Sequence, residues 1–386
     1  MKERYVILDA LRGIALFGIC LANYPEFSLY SFLDSQVTGL MPTAGIDRII
    51  RYLQYVFIDG KFYTLFSILF GIGFSIILSN STDGLKVFYR RMTVLVLIGL
   101  FHLIFIWAGD ILLLYAVLGF LLPLFRKVSN KKLLIWSAAL LVFPILIDSF
   151  EWELAAPAIS ATQYFHGKFG ITEANFPVWL AEKDSYLDVL KFNIAGSFIR
   201  MQEFIEGNRV FKVLGLFLLG LYIGRNKMYI NLVDKKSLLK KICLYGFALG
   251  LPMSVLYSWS AMNGHPLGIT LHSTFYTISV LPLSLAYTGT LCLWYITNKE
   301  NIAFKIMAAP GRMSLTNYIM QSVFGMIIFY GTGFGLGATM GLIYVELIAV
   351  GVFLLQIICS RLWLNKLRYG PLEWIWRTFT YGKRLK

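Results

Sequence analysis

The chain has 386 residues, of which 58% are hydrophobic and 15% charged, and its formal net charge is +14. Soluble domains carry about 25% charged and about 45–50% apolar residues, so a soluble globular fold is excluded and lipid must solvate part of the surface. A charge of +14 on a soluble chain would point to nucleic acid, but the positive residues here are confined to particular loops and mark membrane orientation instead.

A membrane-crossing helix needs about 20 mostly apolar residues. The hydropathy pattern predicts spans at about 6–23, 55–79, 92–108, 110–125, 133–149, 209–225, 240–260, 273–297, 313–331 and 341–363. The runs are continuously apolar rather than alternating, and lipid tolerates no unpaired backbone, so helices are expected and a barrel is not. The expected fold class is all-α, a polytopic transmembrane bundle of about ten helices. The first run contains Asp9 and Arg12 and no small-residue cleavage site follows it, so it reads as a span, not a cleaved signal peptide. The fourth run is short and joins the third through Ala108-Gly109-Asp110.

Orientation follows from Lys and Arg. With the N-terminus inside, the basic residues of 2–12 (Lys2, Arg4, Arg12), 86–91 (Lys86, Arg90, Arg91), 126–132, 225–241, 299–312 (to Arg312) and 361–386 (with Arg377, Lys383, Arg384 and Lys386) put 26 of the 35 on the inner side and 9 outside. Both termini are therefore expected to be cytoplasmic, with 364–386 a basic tail. A cysteine at position 237 should resist an impermeant thiol reagent while one at 160 reacts, and labelling of the former from outside would overturn this topology.

One long segment, about 150–208, is expected outside. It opens with Asp148, Glu151 and Glu153, and Leu187, Leu190, Ile194, Phe198, Met201 and Ile205 recur at helical spacing. That stripe fits an amphipathic helix lying flat at the interface, which would either cap a substrate cavity or seal the bundle. Gly333, Gly337 and Gly341 form a small-xxx-small pattern expected to mark close helix packing. Cys20, Cys243, Cys292 and Cys359 all lie in apolar runs and read as reduced, buried core residues. No metal-ligand spacing occurs, so no metal is expected.

Ionisable groups inside spans are costly and tend to be functional. Asp9 and Arg12, three apart, share a face and can pair, either to pin one helix or to anchor an anionic group. Arg312, Asn317 and Gln321 lie on the same side, the last two four apart. On the outer side lie Asn23, Asp59, Lys61, His102 and Asp110, which are expected to converge on one cavity. His102 is either a hydrogen-bonded core residue or a general base oriented by Asp110. His166, His265 and His272 are weaker candidates near outer loops.

Five segments in order carry a resemblance. They are Leu8-Asp-Ala-Leu-Arg-Gly-Ile-Ala-Leu-Phe-Gly-Ile with Asn23; Lys61-Phe-Tyr-Thr-Leu-Phe-Ser-Ile-Leu-Phe-Gly; His102 with Asp110-Ile-Leu-Leu-Leu-Tyr-Ala; Gly311-Arg-Met-Ser-Leu-Thr-Asn-Tyr-Ile-Met-Gln-Ser; and Gly370-Pro-Leu-Glu-Trp-Ile-Trp-Arg. These resemble the YeiB-like family of bacterial membrane proteins, a domain of unknown function. The first motif is also similar to the opening helix of transmembrane acyltransferases such as heparan glucosaminide N-acetyltransferase. That resemblance implies a multi-pass protein of the bacterial cell membrane that moves an acyl group from a cytoplasmic acyl-CoA co-substrate to an outer acceptor, with no cofactor bound. The heparan enzyme has a histidine soon after that helix, where this chain reads Tyr24-Pro-Glu-Phe-Ser-Leu-Tyr, so in an acyltransferase either His102 substitutes or the chemistry differs.

In the acyl-transfer reading Asp9, Arg12 and Arg312 hold the donor's charged end, with Asp59, Asn317 and Gln321 also binding substrate. His102 with Asp110 acts as base, and Asn23 or Lys61 stabilises the oxyanion. The competing reading is a transporter or flippase of an amphipathic or lipid-like solute, and a third is a scaffold. Expected partners are the lipid bilayer and a small-molecule, lipid or glycan acceptor, with a homodimer left open and no nucleic acid.

Overall fold

The computed structural model describes residues 5–80, 83–148 and 154–382. Lys2, Arg4, Glu151, Glu153, Lys383, Arg384 and Lys386 lie outside the described residues. Among the described residues every regular element is helical, as a chain with this much lipid-facing apolar surface requires. The first half of the chain runs through α1 (Val6–Phe27), α2 (Ser35–Gly39), α3 (Ala44–Phe57), α4 (Lys61–Asn80), α5 (Gly84–Phe105), α6 (Leu112–Gly119), α7 (Asn130–Asp148), α8 (Ala156–Phe169) and α9 (Trp179–Glu182). The second half follows with α10 (Tyr186–Glu206), α11 (Arg209–Arg225), α12 (Lys236–Met262), α13 (Ile269–Thr297), α14 (Ile302–Arg312), α15 (Ser314–Phe329), α16 (Leu342–Lys366) and α17 (Pro371–Tyr381).

All ten expected spans fall on helices, but they are not all bilayer-length. Seven stretches among the described residues are long and apolar enough to cross: α1, 44–79, α5, α7, the stretch ending in α12, α13 and α16. The other three, at 110–125, 209–225 and 313–331, reduce to α6, α11 and α15, of 8, 17 and 16 residues. The second expected span is broken at its start. The chain turns at Ile58-Asp59-Gly60, with Gly60 at φ +78°, so α3 and α4 are separate helices.

α1 is the helix the others surround, packing on α14, α4, α15 and α16, while α11 is clasped between α4 and α7 and α12 pairs with α13. Glycines set these close approaches. Gly71 on α4 and Gly220 on α11 touch backbone to backbone, and Gly13 on α1 and Gly311 on α14 do the same. At the periphery, Leu97, Phe101 and Phe105 of α5 and Leu347, Leu354 and Ile358 of α16 are exposed, as a lipid-facing surface demands.

Two expectations are corrected. Gly333 and Gly337 lie in the loop between α15 and α16, where they fold back on Ile327 and Phe329 carbonyls, and Gly341 caps α16 against Thr43 and Asp47. They serve a tight loop, not a helix seam. Cys359 is exposed on the outer face of α16, while Cys20 and Cys292 are buried and Cys243 is half-buried. The 150–208 segment holds three helices, and the longest, α10, buries Val189, Phe192, Asn193, Ala195, Gly196 and Arg200. Of the apolar stripe, Leu187 and Met201 are exposed while Leu190, Ile194, Phe198 and Ile205 are half-buried.

Candidate functional site

A cavity of about 310 Å³ runs along α1, lined on successive turns by Asp9, Arg12, Leu16, Ile19, Asn23 and Glu26. At 1.5 Å per residue those 17 steps make a passage about 25 Å long. Its middle is apolar, walled by Phe66, Leu69 and Phe70 of α4, Met92 and Leu95 of α5, and Tyr115 of α6. Charges appear only at its two ends.

The basic end is built by four helices. Arg12 comes from α1, Arg91 from α5, Arg312 from the last turn of α14 and Arg377 from α17, with Asp9, Glu373, Ser314 and Trp376 beside them. Arg12 Nη1 donates to Asp9 Oδ1 at 2.9 Å, the pairing that their spacing predicts, and the carboxylate is nearly buried. Arg91 stacks over the Trp376 ring at 3.8 Å, and the indole Nε1 donates to the Arg91 carbonyl at 2.8 Å. Arg377 lies 4.7 Å from the centre of the Tyr369 ring. Glu373 accepts from the amides of Leu315 and Thr316 at 2.7 and 3.0 Å and from the Thr316 hydroxyl at 2.6 Å. Its charge is thereby spent on the α15 N-terminus.

The other end carries Asn23, Glu26, Asp59, Tyr63, Arg200 and Arg209. Arg200 is fixed by the Asp110 carbonyl at 3.1 Å, by the Gly109 carbonyl and by Glu203 at 2.5 Å. Asp59 accepts from the Tyr257 hydroxyl. Asp59, Tyr63 and Arg209 also line a second chamber of about 270 Å³ with Glu206, Lys212, His272 and Tyr276. The two chambers therefore meet at those three side chains. His272 is held by the Ser260 hydroxyl at 3.1 Å, and His265 packs on its ring.

Of the five outer residues expected on one cavity, Asn23 and Asp59 are on its wall and three are not. Lys61, the first residue of α4, turns back onto the Tyr55 carbonyl at the end of α3, 2.7 Å away, and is fully enclosed. A cation there complements the α3 dipole. His102 and Asp110 do meet, at 2.8 Å, as the tight 108–110 connection requires. The second ring nitrogen, however, faces the Ser322 hydroxyl at 2.9 Å, and neither side chain has any exposed surface. A carboxylate opposite Nδ1 makes that nitrogen the donor, and Nε2 shares a hydrogen bond with the Ser322 hydroxyl. Asp110 Oδ2 also accepts from the Leu113 amide at 2.7 Å, closing the first turn of α6. Asn317 and Gln321 are likewise occupied, bonding Ser360 at 2.9 Å and Gln356 at 3.1 Å on α16. Polar groups inside a membrane bundle pair across helices, and these five found partners away from the cavity.

Comparison with known proteins gives the chain its relatives. Residues 223–383 match the family described as "Protein of unknown function (DUF418)". Over 402 residues the chain is 31% identical to "Uncharacterized protein YxaH" of Bacillus subtilis (strain 168), covering 98% of this chain and 95% of that protein. The chain belongs to the DUF418, or YeiB-like, family. It is also 26% identical over 409 residues to "Uncharacterized protein YeiB" of Escherichia coli (strain K12), covering 98% and 96% of the two chains. No solved structure matches it.

In this DUF418 chain the residues that sequence reasoning passed over are Glu26, Arg91, Arg200, Arg209, Glu373, Trp376 and Arg377. Two of them carried a usable signal. Gly370-Pro-Leu-Glu-Trp-Ile-Trp-Arg is too apolar for a solvated tail, and α17 indeed folds back on α5 and α15. Arg91 and Arg377 read only as orientation charges because nothing local distinguishes a loop arginine from a cavity arginine.

Proposed function

We propose that this DUF418 protein is a membrane-embedded acyltransferase-like protein that takes an acyl-bearing anion of acyl-CoA type at the basic end of its cavity and passes the acyl group to an acceptor at the other end. The observation that carries this reading is the single cavity joining an arginine cluster to a mixed-charge chamber through an apolar passage. Such a passage fits a chain with a charged head and suits neither a small polar solute nor an inorganic ion. The distribution of basic residues favours a cytoplasmic side for the arginine cluster. Asp9 and Arg12 with Arg312 hold the head. Asn23 stands where an oxyanion would develop, and Glu26 is the carboxylate on the wall suited to take the acceptor's proton. His102, enclosed and bonded on both nitrogens, supports the wall.

That enclosure also favours a second reading, in which the same cavity moves an amphiphile across the membrane without chemistry. Purified protein in vesicles supplied with palmitoyl-CoA separates the two. Acyl transfer releases CoA thiol only when a hydroxyl or amine acceptor is present, whereas transport delivers the intact thioester to the far side. The absence of both thiol release and acyl transfer would refute the first reading.

A further inference from the structure

We propose that the basic end of the cavity is a phosphate site, built for a headgroup carrying at least two negative charges, and that Arg91 and Arg377 are its ligands together with Arg12 and Arg312. The inference rests on the proposed function for the ligand's acyl chain, and holds whether or not the group is transferred.

The charge distribution makes the first argument. Four guanidinium groups and two carboxylates line this end, leaving +2, whereas Glu26 and Asp59 balance Arg200 and Arg209 at the other end. The two carboxylates at the basic end are committed, Asp9 to Arg12 and Glu373 to the first turn of α15. Arg91 lies within electrostatic reach of both Arg12 and Arg377. Like charges held together at the edge of an apolar passage repel, and a dianion relieves that repulsion where a single carboxylate relieves half of it.

The second argument is geometric. A cation used only for orientation would be expected to reach into solvent, yet all four arginines are half-buried on the cavity wall. Two are held from one side by aromatic rings, Arg91 by Trp376 at 3.8 Å and Arg377 by Tyr369 at 4.7 Å. A guanidinium held by its face keeps its in-plane N–H donors for oxygen ligands, the arrangement that matches phosphate. The four come from α1, α5, α14 and α17, so the site forms only when the bundle is assembled. From Arg12 to Glu26 along α1 is about 21 Å, room for an acyl chain or an extended thioester arm beyond the phosphate.

The shared chemistry, an acyl-bearing phosphate, has two sources, and the test distinguishes them. Thermal stabilisation of the full chain in detergent is measured with palmitoyl-CoA, CoA, dioleoyl phosphatidate, dioleoyl phosphatidylcholine and palmitate. Palmitoyl-CoA or phosphatidate should stabilise at concentrations at least about tenfold below those needed for palmitate or phosphatidylcholine, and whichever acts lower names the source. R91Q and R377Q should each raise the required concentration about tenfold, the loss expected for one charge-assisted hydrogen bond. R90Q, at the exposed neighbour of Arg91, should change nothing. If a glutamine variant does not fold, R91K and R377K preserve the charge, lose the planar fork and should still weaken binding. Palmitate acting as well as both phosphate compounds, or unchanged binding by folded Arg91 and Arg377 variants, overturns the proposal. Phosphate binding without thiol release would leave this site standing and remove the acyltransferase reading. Thiol release unaffected by R91Q and R377Q would do the reverse.

Discussion

Gly311→Val is expected to prevent the bundle from assembling. A Cβ at Gly311 would overlap the Asp9 carbonyl and sit 2.7 Å from the Gly13 amide nitrogen, and a Cβ at Gly13 would in turn overlap the Met307 carbonyl. These are backbone atoms of two helices, so no rotamer change makes room. Overpacking against movable side chains already costs typically 1–3 kcal/mol, and separating α1 from α14 should exceed about 3 kcal/mol. The same displacement would pull Asp9 and Arg12 away from Arg312 and dismantle the basic end of the cavity. Gly351→Ala on α16, with open space at its Cβ, is the control and should hold or slightly raise stability. The readout is the folded fraction after detergent extraction and its melting temperature. A monodisperse Gly311→Val protein melting within a few degrees of wild type would refute the contact.

The second large effect belongs to Asp110→Ala. That change strips the partner from His102 Nδ1 and from the Leu113 amide. It also loosens the turn whose carbonyls hold Arg200. Buried donors left unpaired cost about 1–3 kcal/mol each, so destabilisation by roughly 2–4 kcal/mol is expected, with Asp110→Asn retaining part of it. His102→Ala should lower stability by about 1–3 kcal/mol while each folded molecule keeps its activity. A stable His102→Ala protein with abolished activity would return the histidine to the chemistry and remove its supporting role.

The two readings of His102 show where local pattern stops being informative. The pairing with Asp110 follows from eight residues of sequence and one tight turn, and it is present. Whether the pair faces a cavity depends on α15, which brings Ser322 from 220 positions away and shuts the ring in. The α10 stripe meets the same boundary. Helical spacing picks out the stripe, but only the assembled bundle decides that the face carrying Val189, Phe192, Asn193 and Arg200 is the one buried.

Composition and the length of the apolar runs determine by themselves that the chain is an all-α membrane protein, and the Asp9–Arg12 pair follows from helical spacing alone. These properties are local: hydropathy sums along the chain, and periodicity needs only 3.6 residues per turn. The arginine cluster is not local. Arg91 and Arg377 stand 286 positions apart and meet because α17 packs on α5, where Trp376 stacks against Arg91. Only the tertiary structure decides that, because helix rotation and neighbour choice follow from glycine contacts and polar pairings summed over the whole bundle. A charge is an orientation signal or a ligand according to which wall it reaches.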